Sequence, residues 1–86
     1  MREISLDRLR TLVAIADHGS FAEAARALHL APPTVSLHIA ELEHRIGAPL
    51  LSRKRGQVRP SAIGEVLVER GRRLRLVIGR AGRHAT

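Results

Sequence analysis

Four cations crowd one short stretch of this chain: in "SRKRGQVR", residues 52–59, stand Arg53, Lys54, Arg55 and Arg59. Such a run does charge chemistry. It attracts a polyanion, and guanidinium forks suit phosphate oxygens in particular. A second set lies upstream in "LAPPTVSLH", where Thr34, Ser36 and His38 alternate with Pro32, Pro33 and Leu37. Hydroxyls and imidazole both donate and accept hydrogen bonds. Other chemistries find no residues. The chain has no cysteine, and its five histidines are scattered: His38 and His44 are six apart, while His18, His29 and His84 lie in separate segments. Positions six apart on a helix do not share a face, so no metal-ligand set emerges. No nucleophile–base pair and no glycine-rich phosphate loop is present, which argues against an enzyme and against a bound cofactor.

The charge balance narrows the partner. The net charge is +7, unevenly spread: residues 1–43 hold four arginines against six acidic residues, and residues 44–86 hold eleven Lys/Arg against two. A basic half beside a near-neutral half suits nucleic acid. Phe21 is the sole aromatic residue. That argues against single-strand binders and sheet-based RNA modules, which stack bases on aromatic rings. Duplex DNA, read by a helix and held by arginine, is left. The lack of cysteine fits a reducing compartment. No window reaches the ~20 apolar residues of a membrane span, and "MREISLDRLR" is no signal peptide. The expected setting is the cytoplasm, on the nucleoid, with no membrane partner.

Helical spacing supplies the elements that must position these groups. Leu6, Leu9, Leu12, Val13 and Ala16 mark a helix over 6–18, capped by Ser5 and ended by Gly19. Ser20 and Glu23 form an S-x-x-E capping box for a short helix over 21–28, with Phe21, Ala24, Ala25 and Leu28 on one face. Val35, Ile39, Leu42 and Ile46 mark a third helix over 32–47, closed by Gly47. Its two leading prolines are tolerated because first-turn N–H groups lack intrahelical partners. Pro32 is expected as its cap and Pro33 as its first helical residue. Leu50, Leu51 and Val58 can pair across a short hairpin, and a fourth helix starts near Ser61. Its apolar stripe of Ile63, Val66, Leu67, Leu74, Val77 and Ile78 outruns the core of so small a domain and calls for a partner helix. Part of it, Ile63, Val66 and Leu67, is also expected to pack on its own domain. Gly79 and Gly82 predict a frayed end and a disordered tail over 81–86.

Two short helices joined by a tight connector spell a helix-turn-helix, in which the start of the second helix faces base edges. The sequence "LDRLRTLVAIADHGSFAEAARALHLAPPTVSLHIAELEHRIGAPLL", then "SRKRGQVRPSAIG", resembles the N-terminal domain of LysR-type transcriptional regulators. Gly19, Ser20, Phe21, Ala24, Ala25, Leu28, Pro33, Val35, Ser36, Ile39, Leu42, Glu43, Gly47, Leu50, Arg53 and Gly64 match that family's pattern in order. The resemblance covers about residues 5–80.

What the resemblance implies is a mainly α fold. A winged helix-turn-helix over 1–60, three helices with a short β-hairpin wing, precedes a linker and dimerisation helix over 61–80. It implies a homodimer on pseudo-palindromic duplex DNA, and a small-molecule effector bound only by a C-terminal domain absent from this chain. The expected DNA contacts are Ser20, Pro32, Pro33, Thr34, Ser36, Leu37, His38, Arg53, Arg55 and Arg59. The expected dimer residues are those of the fourth-helix stripe. Departures from the pattern gather at the reading head. Ala31 replaces a capping Ser or Thr, Pro32 a frequent Gln, and Leu37 a common Arg; Leu51 replaces a Phe, and Pro60-Ser61 a Leu-Thr. The rivals are another winged helix family, such as a MarR-like regulator, and a helical protein-interaction module with incidental charge.

Overall fold

Local chemistry explains where each helix begins and ends. The computed structural model describes residues 4–85, with side chains as far as Leu74. The element order is α1 (Leu6–His18), α2 (Phe21–Leu28), α3 (Pro32–Ile46), β1 (Leu51–Lys54), β2 (Gln57–Pro60) and α4 (Ala62–Ala85). The Ser5 hydroxyl accepts from the Asp7 N–H at 3.1 Å, and Gly19 ends α1 at φ 75°. The Ser20 hydroxyl accepts from the Glu23 N–H at 3.0 Å, the expected half of a capping box. The Glu23 carboxylate itself lies 3.7 Å from the Arg26 guanidinium. Gly47 ends α3 at φ 82°. In each glycine cap the left-handed turn is free of the Cβ penalty.

The start of α3 departs from expectation by one residue. Ala31 is the cap and Pro32 is the first helical residue, with no side-chain cap bond. The Ala31 backbone is extended at φ −68°, ψ 141°, as a residue before proline must be.

The core forms around α1. Leu12 and Ile15 are fully buried, and against them pack Ala24 and Ala25 of α2, Val35, Ile39 and Leu42 of α3, Leu50 and Val58 of the wing region, and Leu67 and Val68 of α4. Burying each large aliphatic side chain contributes roughly 1.5–3 kcal/mol. Phe21 packs on the edge of this cluster.

Two expectations about α4 change. Leu67 is 3% exposed and fills the domain's own core with Val68, so it is not available to a partner. Ile63 and Val66, expected in part to pack inward, are instead open to solvent, as is Leu74. The side chains of Val77 and Ile78 lie outside the described residues. The helical backbone also continues to Ala85, past the glycines that predicted a disordered tail. Glycine weakens a helix by about 1 kcal/mol but does not by itself end one.

Candidate nucleic-acid interface

Helix α3 is divided between a buried back and an exposed front. At 100° per residue, Val35, Ile39 and Leu42 turn inward, and all three are buried. Pro33, Leu37, Ala40 and His44 share the opposite face, with Pro32 and Ser36 at its edge, and all six are exposed. Thr34 and His38, expected beside them, sit at the flank and are half-buried. The His38 ring is tied to the protein: its Nδ1 lies 2.8 Å from the Thr11 hydroxyl of α1. The same hydroxyl also reaches the Asp7 carbonyl at 3.1 Å, so it sits between two partners. His38 therefore keeps only Nε2 for any other partner. Ala40 was missed because its small side chain carries no hydrogen-bonding group; its helical phase alone reveals it.

A second tie seats α3 on α1. Arg8 Nε donates to Glu41 Oε1 at 2.6 Å, and both side chains are partly shielded.

The N-terminus of α3 has lost its usual donors. A helix normally leaves its first N–H groups unpaired. Here Pro32 and Pro33 have none, and Thr34 N–H and Val35 N–H both donate to the Ala31 carbonyl, at 2.9 and 3.3 Å. The ordinary anion-attracting N–H cluster of a helix start is thus absent from α3.

The wing is a two-residue hairpin. Lys54 pairs with Gln57, leaving Arg55 and Gly56 at the tip with φ 53° and 78°. Positive φ at both positions makes the turn twist with its strands. Residues directly opposite in an antiparallel pair share a face. Arg53 pairs with the buried Val58, whereas Arg59 pairs with Ser52. The register therefore puts Arg53 and Arg59 on opposite faces of the ribbon. Lys54, not among the expected DNA contacts, shares the face of Arg59 and Gln57. Arg59 donates to Gln57 Oε1 at 3.1 Å along that face. All four wing cations are exposed.

Two bonds hold the wing to the body and two close its base. Val58 N–H donates to the Gly19 carbonyl at 3.3 Å, and Leu50 N–H to Glu43 Oε2 at 2.8 Å. Across the base of the hairpin, Ser61 N–H donates to the Leu50 carbonyl at 2.9 Å, and its hydroxyl to the Pro49 carbonyl at 2.8 Å. Glu43 was missed as a wing-positioning residue, since its partner is a backbone group seven residues on. Ser20, at the α1–α2 turn, accepts one bond and retains its hydroxyl proton to donate.

The family model described as "Bacterial regulatory helix-turn-helix protein, lysR family" matches residues 6–65. The chain belongs to the LysR family. It has the winged helix-turn-helix fold of LysR-type DNA-binding domains. It superposes on the DNA-binding domain of CbnR, solved as a DNA complex, with a TM-score of 0.80 and 30% identity, over 94% of this chain and 93% of that one. Full-length LysG of Corynebacterium glutamicum, with effector Arg bound, matches with a TM-score of 0.85 and 35% identity, over 94% of this chain and 28% of that one. The small neutral protease regulatory protein of Streptomyces coelicolor is 42% identical over 72 residues, 84% of this chain and 22% of the relative. The LysR-type chain here thus spans about a fifth of the length of that curated relative. Among its described residues no helix is long and apolar enough to cross a membrane.

Proposed function

We propose that this chain binds duplex DNA sequence-specifically, as the DNA-binding domain of a LysR-type transcriptional regulator. The observation that carries this reading is α3: its back is locked to α1 by Thr11–His38 and Arg8–Glu41, while its first two turns stand open. A helix held rigidly from behind with a free front suits the major groove. Pro32, Pro33, Ser36 and Leu37 face base edges there, with Thr34 at the flank. Arg53, Arg55, Arg59 and the added Lys54 neutralise phosphates, and the Ser20 hydroxyl at the start of α2 donates a hydrogen bond to a phosphate oxygen. Phosphate contacts position the domain and base contacts specify the site.

In this reading α4 carries the homodimer through Ile63, Val66 and Leu74, with Val77 and Ile78 further along. Two copies then place two α3 helices on half-sites of a pseudo-palindromic duplex. A small-molecule effector acts through a C-terminal domain beyond this chain, and the protein works in the cytoplasm on the nucleoid. The test is duplex affinity titrated against salt. Log K should fall linearly with log salt, with a slope of about −0.9 per neutralised phosphate. A flat line sinks the proposal.

A further inference from the structure

Resting on the reading that α3 enters the major groove, we propose that this chain recognises thymine by its C5-methyl group, through Pro32, Leu37 and Ala40. The N-terminal part of the outer face of α3 is unusually poor in hydrogen-bonding groups. Five exposed positions lie between Pro32 and Ala40, and Ser36 is the one polar side chain among them; the exposed His44 and Arg45 stand in the last turn. Leu37 is 56% exposed and is the one large apolar side chain of α3 open to solvent. Backbone donors are missing as well: two prolines lead the helix, and the next two N–H groups close on the Ala31 carbonyl. His38 has its Nδ1 committed to Thr11.

A face so built does little by hydrogen bonding. Of the four bases, thymine alone presents an apolar group in the major groove. Setting Leu37 against the amino group of adenine or cytosine, or the acceptors of guanine, would strip those groups of water and return no partner. The apolar face therefore attracts thymine and excludes the other bases at the same position.

The test begins with duplexes selected from a random pool by the full chain. Each dT of the winning half-site is then replaced singly by dU, which removes the methyl group and leaves the pairing edge unchanged. One or two positions should bind roughly fourfold more weakly, the loss for one buried methyl. Leu37→Ala, an exposed position whose change leaves the core intact, should abolish that penalty at its thymine. Pro32→Gln should move the preferred base at its position toward adenine, which a glutamine amide grips with two bonds. If no dU replacement weakens binding by more than about twofold, or if the penalty persists unchanged in both variants, methyl recognition is overturned. Failure to recover any salt-sensitive duplex would instead overturn the DNA-binding reading beneath it.

Discussion

The Nδ1 of His38 lies 2.8 Å from the Thr11 hydroxyl, joining the recognition helix to the buried centre of α1. Thr11 is fully buried, the one buried polar side chain among the described residues. Thr11→Val keeps the volume but leaves the ring nitrogen without its partner, at a cost of about 1 kcal/mol in urea unfolding. His38→Ala should cost roughly 1–2 kcal/mol, and the double variant should lose less than the sum of the singles. Duplex affinity of folded His38→Ala should change by less than about threefold. A larger loss at unchanged stability would make His38 a direct contact instead.

Two glycines in α4 permit close approach, with different tolerance. A Cβ at Gly64 would lie 2.1 Å from the Leu50 carbonyl oxygen, a backbone atom that cannot step aside. At Gly71 it would meet Val13 Cγ2 at 2.8 Å, the movable end of a side chain. Gly64→Ala should therefore destabilise by about 3 kcal/mol or more, and Gly71→Ala by roughly 1 kcal/mol. Thermal melts of the two variants give the ranking directly, and the reverse order would refute this account of the packing.

Arg55 holds a left-handed backbone at φ 53° at the wing tip. An L residue there costs roughly 1–2 kcal/mol, less for asparagine. Arg55→Asn should raise stability by about 0.5–1 kcal/mol while making the salt slope of DNA binding shallower by about 0.9. If both quantities stay fixed, neither the strain nor the phosphate contact is real.

Val66 is 60% exposed and Ile63 46%, on a helix whose other flank is buried. Sedimentation at micromolar concentration should show a dimer. Val66→Glu places a charge in that interface and should weaken the dimer at least about tenfold without altering the far-ultraviolet helical signal. A wild-type monomer would remove α4 as the dimer element.

Much of this fold is written locally. The caps at Ser5 and Ser20, the stops at Gly19 and Gly47, and the tip at Arg55-Gly56 all act within a few residues of themselves, so they are legible along the chain. The matches to the LysR pattern likewise run in order from the Gly19 cap of α1 through α2, α3 and the wing to Gly64 of α4. The reading face was legible in part: grouping by adjacency drew in Thr34 and His38, which helical phase puts at the flank, and left out Ala40.

By itself, then, the sequence determined the helices, the hairpin and the family, because short-range hydrogen bonding and 3.6-residue periodicity depend only on neighbours in the chain. The tertiary structure alone decided which partners those elements meet. It buried Leu67 with Val68 in the core and left Ile63 and Val66 outside, put Arg53 and Arg59 on opposite faces of the wing, bound His38 to Thr11, and gave the Glu43 carboxylate to the Leu50 N–H. An apolar stripe states that a residue will be covered. What covers it, its own α1 or a second chain, depends on how distant segments meet in space.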